Sequence, residues 1–508
     1  MVAAAAEGQA RVLVASNRGP VSYSFDDSAP GTGRTSGDSS PESRALTVKR
    51  GGGGLVSGLS AIGSDADAIW VCAALSEGDR EAARRSNGRL DTTDTAGQAV
   101  RMLQIPTDVF AGAYNGIANS VLWFVHHMLY QTPLEPAFDS QFSQEWEAYE
   151  IYNKTFADAL AAEAAQNAVV LVQDYHLSLV PALLREARPD LRIGHFSHTP
   201  WAPPDYFAML PDAEAESLLR GILGADRAGF LTSRWAQAFA DCCARVLGAK
   251  VSRHGDELQV DHEGGTTRLG VHALGADGEF LNERAHRSDV DERIGQLRAQ
   301  IGEAQGVARR TVVRVDRTEL SKNIVRGLYA FRRLLADRPE WRERVVHLAF
   351  AYPSRQDLAI YRDYTDEVAR VAEEINSAFG RPDWTPVILH VQDDFPRSLA
   401  AYRIADVALV NPIRDGMNLV AKEVPVVSDE GCALVLSRES GAAAELADDS
   451  YMVNPFDVEG TARALADALK APEAEKKSHT QRLAAAATAL PPTDWFLGQL
   501  EALKRMDR

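Results

Sequence analysis

The stretch DVALVNPIRDGMNLVAKE, at residues 406–423, decides the fold class. Its apolar run DVALV passes through a glycine-containing turn into an amphipathic stretch, which is the pattern of a buried strand followed by a helix. In such a turn four backbone amides face an anion at the helix N-terminus, those of Gly416, Met417, Asn418 and Leu419. Glu423 follows one to two turns later, where its carboxylate could accept hydrogen bonds from two ribose hydroxyls.

The same alternation of short β-branched runs and longer amphipathic stretches recurs along the chain. One set comprises RVLVAS, AIWVCA, VVLVQDY and IGHFSH, and the other comprises TVVRVDR, VVHLAFAY, TPVILHV, DVALVNP and CALVLS. This rhythm is typical of βαβ units with a parallel sheet between helices. A polar, Arg- and Glu-rich region at about residues 278–310 separates the sets. We predict an α/β protein with lobes at residues 1–276 and 277–482 and a C-terminal helical segment at 483–508.

Composition excludes several classes of partner. The 508 residues include 54 Lys+Arg against 71 Asp+Glu, a net charge of -17, with no basic run to attract nucleic acid or an anionic membrane. No stretch has the length and apolarity of a membrane span, and the N-terminus does not resemble a signal peptide. We therefore predict a cytoplasmic protein that binds neither partner and holds anionic substrates with individually placed cations. The cysteines have no CxxC spacing: Cys72, Cys242, Cys243 and Cys432.

A glycine-rich segment follows the first strand. SNRGPV (residues 16–21) and RGGGGLVSGL (residues 50–59) enclose residues 24–50, whose Ser, Gly, Asp and Pro content predicts a long mobile loop. Glycines at a strand end let backbone amides approach a phosphate, so Gly53 and Gly54 are candidates for phosphate binding. Arg18 is a lone cation beside them. The alternative interpretation is a flexible turn.

Polar residues also follow two further strands. Asp174 follows the run VVLVQ and lies in QDYHLSLVPALLRE, and His198 lies in GHFSHTPWAPPDYF, after IGHFS. Side chains at the carboxyl ends of strands line the ligand crevice of α/β proteins. The alternatives are a helix-capping aspartate and a structural histidine.

Two cations stand after a strand of the second set. RVDRTELSKNIVRGL places Arg317 and Lys322 in one loop, a combination suited to a diphosphate leaving group. The alternative is solvated surface charge.

In this order and spacing, SNR, DYHL and DGMNLVAKE resemble the trehalose-6-phosphate synthases, glycosyltransferase family 20, from about residue 12 to the C-terminal helix. The resemblance implies the GT-B fold, with two Rossmann-like lobes facing a central cleft and a last helix that crosses back to the N-terminal lobe. It implies retaining transfer of glucose from a nucleotide-glucose to glucose 6-phosphate, without metal or cofactor. A homo-oligomer is compatible with it. The sequence shows no obvious carboxylate pair for a double displacement. The resemblance instead implies front-face attack.

The resemblance also implies roles for individual residues. The acceptor and its phosphate would be bound by Arg18, Trp70, Tyr114, Trp123, Asp174 and Arg355. The donor would be bound by Gly53, Gly54, Arg317, Lys322, Asp394, Gly416, Met417, Asn418, Leu419 and Glu423. The residues predicted to take part in catalysis are Asp174, His198, Arg317, Lys322 and Asp415.

The donor base is left open between uracil, the family default, and guanine. In HVQDDFPRS, Asp394 stands where relatives that use UDP-glucose can have a histidine, and a carboxylate could accept both guanine donors. The alternative is that Asp394 caps the helix that begins near Pro396.

Two other functions remain to be weighed. A pseudo-glycosyltransferase that couples cyclitols shares the fold, but the presence of Met417, Tyr114, Trp123 and Arg355 argues against it. A catalytically silent regulatory subunit would be expected to lack Arg317, Lys322 or Asp415, which all stand.

Overall fold

The structure is a computed structural model that describes residues 9–26, 44–51, 68–302 and 308–506. The chain folds as two compact units. The first comprises Met1–His272 together with Pro492–Arg508, and the second is Ala273–Pro491. The chain thus passes from one unit to the other twice. In the described part of the chain, no helix is long and apolar enough to cross a membrane.

The first unit is built on a nine-stranded sheet and a separate hairpin. Its strands are β1 (Ala10–Ser16), β2 (Val21–Phe25), β3 (Leu46–Arg50), β4 (Ala68–Ala73), β5 (Ala99–Leu103), β6 (Ala164–Gln173), β7 (Arg192–Ser197), β8 (Arg227–Phe230), β9 (Lys250–His254), β10 (Glu257–His262) and β11 (Gly265–Val271). The sheet order is β5-β4-β1-β6-β7-β8-β11-β10-β9. The first seven strands in this order, β5 through β11, pair in parallel. The last two, β10 and β9, extend the sheet with antiparallel pairing.

The hairpin corrects the prediction of a loop across residues 24–50. Strands β2 and β3 pair antiparallel, with Phe25 opposite Leu46. The hairpin forms because Val21 and Tyr23 are buried on one face of β2, and because the backbone N–H of Tyr23 donates to Asp79 at 2.7 Å. The predicted loop is therefore wrong at both ends. Its remainder, residues 27–43, lies outside the described residues.

Helices cover the strands of the first unit. Its α-helices are Glu77–Arg85, Thr107–Phe110, Trp123–His127, Ser140–Glu163, Val180–Ala187, Pro204–Phe207, Asp212–Leu223, Ser233–Leu247 and Pro492–Lys504. A π-helical segment, Ala111–Leu122, continues directly into Trp123–His127. A 3-10 turn, Tyr175–Leu177, follows β6.

The last helix belongs to the N-terminal unit, as predicted. It contacts β6 and β7, and both Trp495 and Phe496 are fully buried. The indole N–H of Trp495 donates to the carbonyl of His272 at 3.0 Å. Burial of two aromatic side chains contributes several kcal/mol to holding this helix in place.

The second unit contains a six-stranded, fully parallel sheet. Its strands are β12 (Arg310–Thr318), β13 (Val345–Pro353), β14 (Val387–His390), β15 (Val407–Val410), β16 (Ala433–Ser437) and β17 (Tyr451–Val453). The order β14-β13-β12-β15-β16-β17 is the Rossmann order, 3-2-1-4-5-6. The strand order reverses between β12 and β15, so a ligand crevice is expected at their carboxyl ends.

Nine α-helices of the second unit are described, together with three 3-10 turns. The helices are Gly278–Ala285, Ser288–Gln300, Ile324–Asp337, Ala359–Phe379, Phe395–Arg403, Val420–Val427, Ala443–Leu446, Val458–Lys470 and Glu473–Ala487. The turns are Leu320–Lys322, Pro339–Trp341 and Ala447–Asp449. The first of these turns and the segment before Val420–Val427 follow the two strands at the switch point.

Candidate active site

Asp174 lies directly after β6, in a strained conformation. Its φ of 74° lies in a region that side chains other than glycine rarely adopt, at a cost of about 1 to 3 kcal/mol. Two backbone contacts hold it there: its N–H donates to the carbonyl of Phe196 at 2.7 Å, and Oδ1 accepts the N–H of His198 at 3.1 Å. The strained backbone thereby brings two predicted residues, Asp174 and His198, together at the ends of β6 and β7.

The imidazole of His198 is held neutral. Burial lowers its pKa, and the nearby charge of Asp174 only partly opposes that effect. Nε2 lies 2.9 Å from Oε1 of Gln173, an arrangement in which Nε2 donates and Nδ1 remains an acceptor. A neutral imidazole fixed in this way suits a hydrogen bond to a sugar hydroxyl. Gln173 was not predicted, although it ends the quoted run VVLVQ.

Aromatic rings surround this sheet edge. Tyr114, on the π-helical segment, stacks on His176 with ring centroids 5.6 Å apart. Trp123 stacks on His127 at 3.8 Å and is mostly buried. The hydroxyl of Tyr175 donates to Oδ1 of Asn119 at 3.1 Å, which ties the π-helical segment to the end of β6. The structure therefore places Tyr114 beside the DYHL motif.

Of the other predicted residues of the first unit, one lies inside the sheet, one follows β1 at the same edge as Asp174, and two fall outside the described residues. Trp70 is buried within β4, and its indole N–H donates to Oγ of Ser16 at 2.7 Å, so the structure gives it a place in the core of the sheet. Arg18 is exposed just after β1, and its carbonyl accepts a hydrogen bond from Oγ of Ser16. Gly53 and Gly54 lie outside the described residues.

In the second unit, Lys322 and Asp415 form an ion pair across the switch point. Nζ of Lys322 donates to Oδ2 of Asp415 at 2.5 Å, and both side chains are mostly buried. Burial opposes the charge on Lys322, but the carboxylates of Asp415, Glu319 and Asp316 outweigh it and raise the pKa of the ammonium. The cation is therefore charged throughout the physiological range.

The turn that carries Asp415 is held by several hydrogen bonds. Asn418, at φ 75°, donates from Nδ2 to Oδ2 of Asp415 at 3.1 Å and accepts the N–H of Ala421 at 3.2 Å. The carbonyl of Met417 accepts both the N–H of Ala442 and Oγ of Ser440. The predicted turn before Val420–Val427 is present, with Gly416, Met417 and Asn418 buried and Leu419 at its end.

Beneath the Lys322 loop lies a buried ion pair that sequence reasoning missed. Arg314, within β12, donates to Oδ2 of Asp316 at 2.8 Å and to the carbonyl of Lys322 at 3.0 Å. Burial raises the pKa of Asp316, although the charges of Arg314 and Lys322 oppose the shift. Charged residues inside the run TVVRVDR were the available signal. An arginine in a central strand that bonds a loop carbonyl fixes the shape of that loop.

Arg317 has a different environment from Lys322. Its side chain is 59% exposed, and Nε lies 3.3 Å from Oε1 of the fully buried Glu319. Arg355 lies in the loop after β13 at φ 50°, with Nη1 donating to the hydroxyl of Tyr361 at 2.8 Å. Arg317 is the penultimate residue of β12, so the prediction that it shares a loop with Lys322 is wrong; the strand continues through Arg317 because it pairs with Tyr352 of β13. Both arginines lie at the carboxyl ends of neighbouring strands of the second sheet.

Glu423 lies on the helix Val420–Val427, as predicted. Burial raises the pKa of Glu423 to about 7, and a long hydrogen bond of 3.4 Å from the hydroxyl of Tyr402 opposes that shift. A carboxyl group with such a pKa changes its charge near neutral pH.

Asp394 is the N-cap of the helix Phe395–Arg403, which is the alternative considered for it above. Oδ1 accepts the N–H of Arg397 at 3.0 Å, and Oδ2 accepts Nε of Arg293 at 2.9 Å. Both oxygens are engaged by the protein's own donors. The structure therefore shows Asp394 as a helix cap that also binds Arg293, and its role toward the donor base stays a prediction.

These features define the class of protein. Parallel α/β sheets carry polar side chains at their carboxyl edges, and the second sheet has Rossmann order with a cation held at its switch point. Two α/β units of this kind are the components of the GT-B type of fold.

Comparison with known proteins identifies the family. The sequence model of glycosyltransferase family 20 matches residues 11–505. A trehalose-6-phosphate synthase of Mycolicibacterium paratuberculosis is 36% identical over 412 residues, which are 80% of this chain and 81% of that protein. The chain therefore belongs to glycosyltransferase family 20, as its motifs predicted.

Solved structures agree with this assignment. A structure from E. coli bound with UDP-2-fluoro glucose matches with a TM-score of 0.81 at 26% identity, covering 98% of this chain and 100% of that one. An alpha,alpha-trehalose-phosphate synthase (UDP-forming) from Burkholderia xenovorans, in complex with glucose-6-phosphate, matches with a TM-score of 0.79 at 26% identity, covering 97% and 100%.

Proposed function

We propose that the chain transfers glucose from UDP-glucose to glucose 6-phosphate, giving trehalose 6-phosphate and UDP with retention at the transferred carbon. The observation that carries this proposal is the Lys322–Asp415 pair at the switch point of the second sheet. The pair sets a charged ammonium group next to a carboxylate. The ammonium group is suited to bind the donor diphosphate, and the carboxylate is suited to bind the hydroxyls of the attached sugar. The two substrates are proposed because the chain belongs to glycosyltransferase family 20.

On the donor side, Lys322 and Arg317 stabilise the negative charge that develops on the diphosphate as the bond to glucose breaks. Asp415 accepts hydrogen bonds from the hydroxyls of the transferred glucose. The buried backbone of Gly416, Met417 and Asn418 limits how that turn can move, so its amides are preorganised. Glu423 binds the ribose hydroxyls.

On the acceptor side, Asp174 and His198 bind sugar hydroxyls, and Tyr114 offers an aromatic face. Arg18 and Arg355 bind the phosphate of glucose 6-phosphate. Trp123 lines the same aromatic cluster. No acceptor contact is proposed for Trp70, because its indole nitrogen is bonded within the sheet.

The reaction proceeds by front-face attack. The acceptor's anomeric oxygen bonds to C1 of glucose on the face from which UDP departs, the bond from C1 to the phosphate oxygen breaks, and the acceptor's proton passes to that phosphate oxygen. Asp174 supports this scheme because Oδ1 is fixed by an amide, which makes it a hydrogen-bond acceptor with a set orientation.

Uracil is the proposed base because the residue considered for guanine is occupied. The engagement of Asp394 by Arg397 and Arg293 leaves it capping a helix. The structural relative that holds UDP-2-fluoro glucose favours the same base.

A donor screen tests the proposal. The purified chain is incubated with glucose 6-phosphate and UDP-, GDP- or ADP-glucose, and trehalose 6-phosphate and free nucleotide are measured together. We expect equal amounts of the two products and the highest rate with UDP-glucose. Nucleotide release without the disaccharide phosphate would exclude the transfer, and a faster rate with GDP-glucose would exclude uracil as the preferred base.

A further inference from the structure

Glu319 is a fully buried carboxylate in the midst of the second unit's cations. It follows β12 and lies between Arg317 and Lys322 in sequence, and its side chain has no exposed surface. Its backbone shapes the loop, since its N–H donates to the carbonyl of Arg317 at 2.8 Å and its carbonyl accepts the N–H of Lys322 at 3.0 Å. A buried carboxylate costs several kcal/mol of desolvation unless charged or polar partners offset it.

One partner is Arg317. Nε of Arg317 lies 3.3 Å from Oε1 of Glu319, while the arginine side chain as a whole is 59% exposed. A guanidinium has five N–H donors in a fixed plane, so an anchor at Nε sets the direction of the whole group. Glu319 therefore limits the rotation of an otherwise exposed cation that is proposed to meet the donor diphosphate.

The other partner belongs to the neighbouring loop. Oγ of Ser354 donates to Oε1 of Glu319 at 3.1 Å. The next residue, Arg355, has a left-handed backbone at φ 50°, a conformation that has to be held by its surroundings. The bond from Ser354 holds the residue immediately before it. The same carboxylate oxygen thus contacts both Arg317, at the end of β12, and the loop of Arg355.

We infer that Glu319 is a positioning residue that orients Arg317 toward the donor diphosphate and fixes the loop that presents Arg355 to the acceptor phosphate. The inference rests on the proposed function, since it takes the two arginines as the phosphate-binding groups. Glu319 cannot itself touch either substrate, because it is fully buried. It also contributes to keeping Lys322 charged.

The contact of Glu319 with Arg317 and its contact with Ser354 can be separated by mutation. Glu319→Gln keeps the shape and an acceptor oxygen for Ser354 but removes the charge that anchors Arg317. Ser354→Ala removes only the contact on the Arg355 side. If Glu319 acts through Arg317, its replacement has little further effect once Arg317 is gone, which a double-mutant cycle measures.

We expect Glu319→Gln to lower kcat about 10-fold with UDP-glucose, and by less than about 3-fold when introduced into Arg317→Ala. Ser354→Ala is expected to raise the KM for glucose 6-phosphate about 3- to 5-fold with kcat nearly unchanged. Melting temperatures of all variants, and the fraction of folded protein by circular dichroism, are measured alongside.

Equal losses from Glu319→Gln in the wild-type and Arg317→Ala backgrounds would overturn the link to Arg317, and an unchanged acceptor KM in Ser354→Ala would overturn the link to Arg355. If Glu319→Gln does not fold, the inference is tested by the KM of Ser354→Ala for glucose 6-phosphate and by the kcat of Glu319→Asp. A wild-type chain that forms no trehalose 6-phosphate refutes the proposed function itself, and this outcome is distinct from the others.

Discussion

The carboxyl edge of the first sheet and that of the second carry different chemistry. The first presents a neutral histidine, aromatic rings and one carboxylate, at His198, Tyr114 and Asp174. The second presents charge pairs, among them the mostly buried pair of Lys322 and Asp415 at the switch point.

The difference follows from what each edge is proposed to bind. The sugar ring of the acceptor is neutral, so hydrogen bonds and flat faces recognise its hydroxyls without desolvating charge. A diphosphate needs cations, and a cation buried alone would be costly. Pairing each cation with a carboxylate reduces that cost and keeps the cation ionised. Removing one polar group should therefore change the stability of the protein differently at the two edges.

The largest effect is expected from Lys322→Ala. Turnover should fall about 100- to 1,000-fold, the cost of losing one donor that stabilises a developing charge. Because Asp415 then loses its cation in a largely buried position, the free energy of unfolding should also fall by about 1 to 3 kcal/mol. Steady-state kinetics and chemical denaturation measure the two quantities.

Arg317→Ala is the matched control for the charge-pair edge. Its turnover should fall by a similar factor, but its unfolding free energy should change by less than about 1 kcal/mol, since the side chain is largely exposed. Equal destabilisation of the two variants would show that burial does not distinguish these cations.

At the edge of the first sheet, Asp174→Asn should lower turnover about 100-fold, since the amide can accept the N–H of His198 but binds sugar hydroxyls less strongly than a carboxylate. Its stability should remain within about 1 kcal/mol of the wild type, because no buried cation is left unpaired. Kinetics with varied acceptor and a thermal melt test both statements. A loss of stability as large as that of Lys322→Ala would contradict the contrast between the edges.

The carboxyl group of Glu423 should make both stability and donor binding depend on pH. Because its folded pKa is about 7, against an ordinary value of 4.5, the group contributes stability that is complete below the lower value and is lost as pH rises through the higher one. Donor binding should change in the opposite direction, since the ionised carboxylate is the better acceptor for ribose hydroxyls. We expect the KM for UDP-glucose to fall several-fold between about pH 6 and about pH 8.

Glu423→Gln is the control for this pH dependence. Both the decrease of KM and the loss of stability over that range should flatten in the variant. Parallel pH profiles for the two proteins would assign the titration to another group.

The smallest effect is expected from Asp394→Asn. The variant should lose about 0.5 to 1 kcal/mol of stability through its cap and the contact with Arg293. Its relative use of UDP- and GDP-glucose should be unchanged. A shift in that ratio would restore Asp394 as a residue that reads the base.

Sequence reasoning located the apolar strands and the residues at their ends. β1, β6, β12 and β15 were predicted because parallel strands buried on both faces leave continuous apolar runs. The order of motifs indicated the family, which the comparisons confirm. Family membership and the strand ends together account for the positions of Asp174, His198, Lys322 and Asp415.

The remaining features depend on contacts distant in sequence. β9 is mostly exposed and β10 largely half-exposed, so their apolar pattern is weak. The hairpin of β2 and β3 forms because Asp79, more than fifty residues away, binds Tyr23. No local pattern distinguishes Glu319 from a solvated charge, since its burial depends on the loop that carries Ser354.

The assignment of the last helix to the first unit has a consequence for dividing the protein. In genetic terms, Ala273–Pro491 is an insertion into the first unit. Ending the chain after His272 would delete the helix Pro492–Lys504 and expose the apolar surface that Trp495 covers. A free-standing first unit would therefore have to be spliced, with residue 272 joined to residue 492, whereas the second unit could be excised as a single fragment.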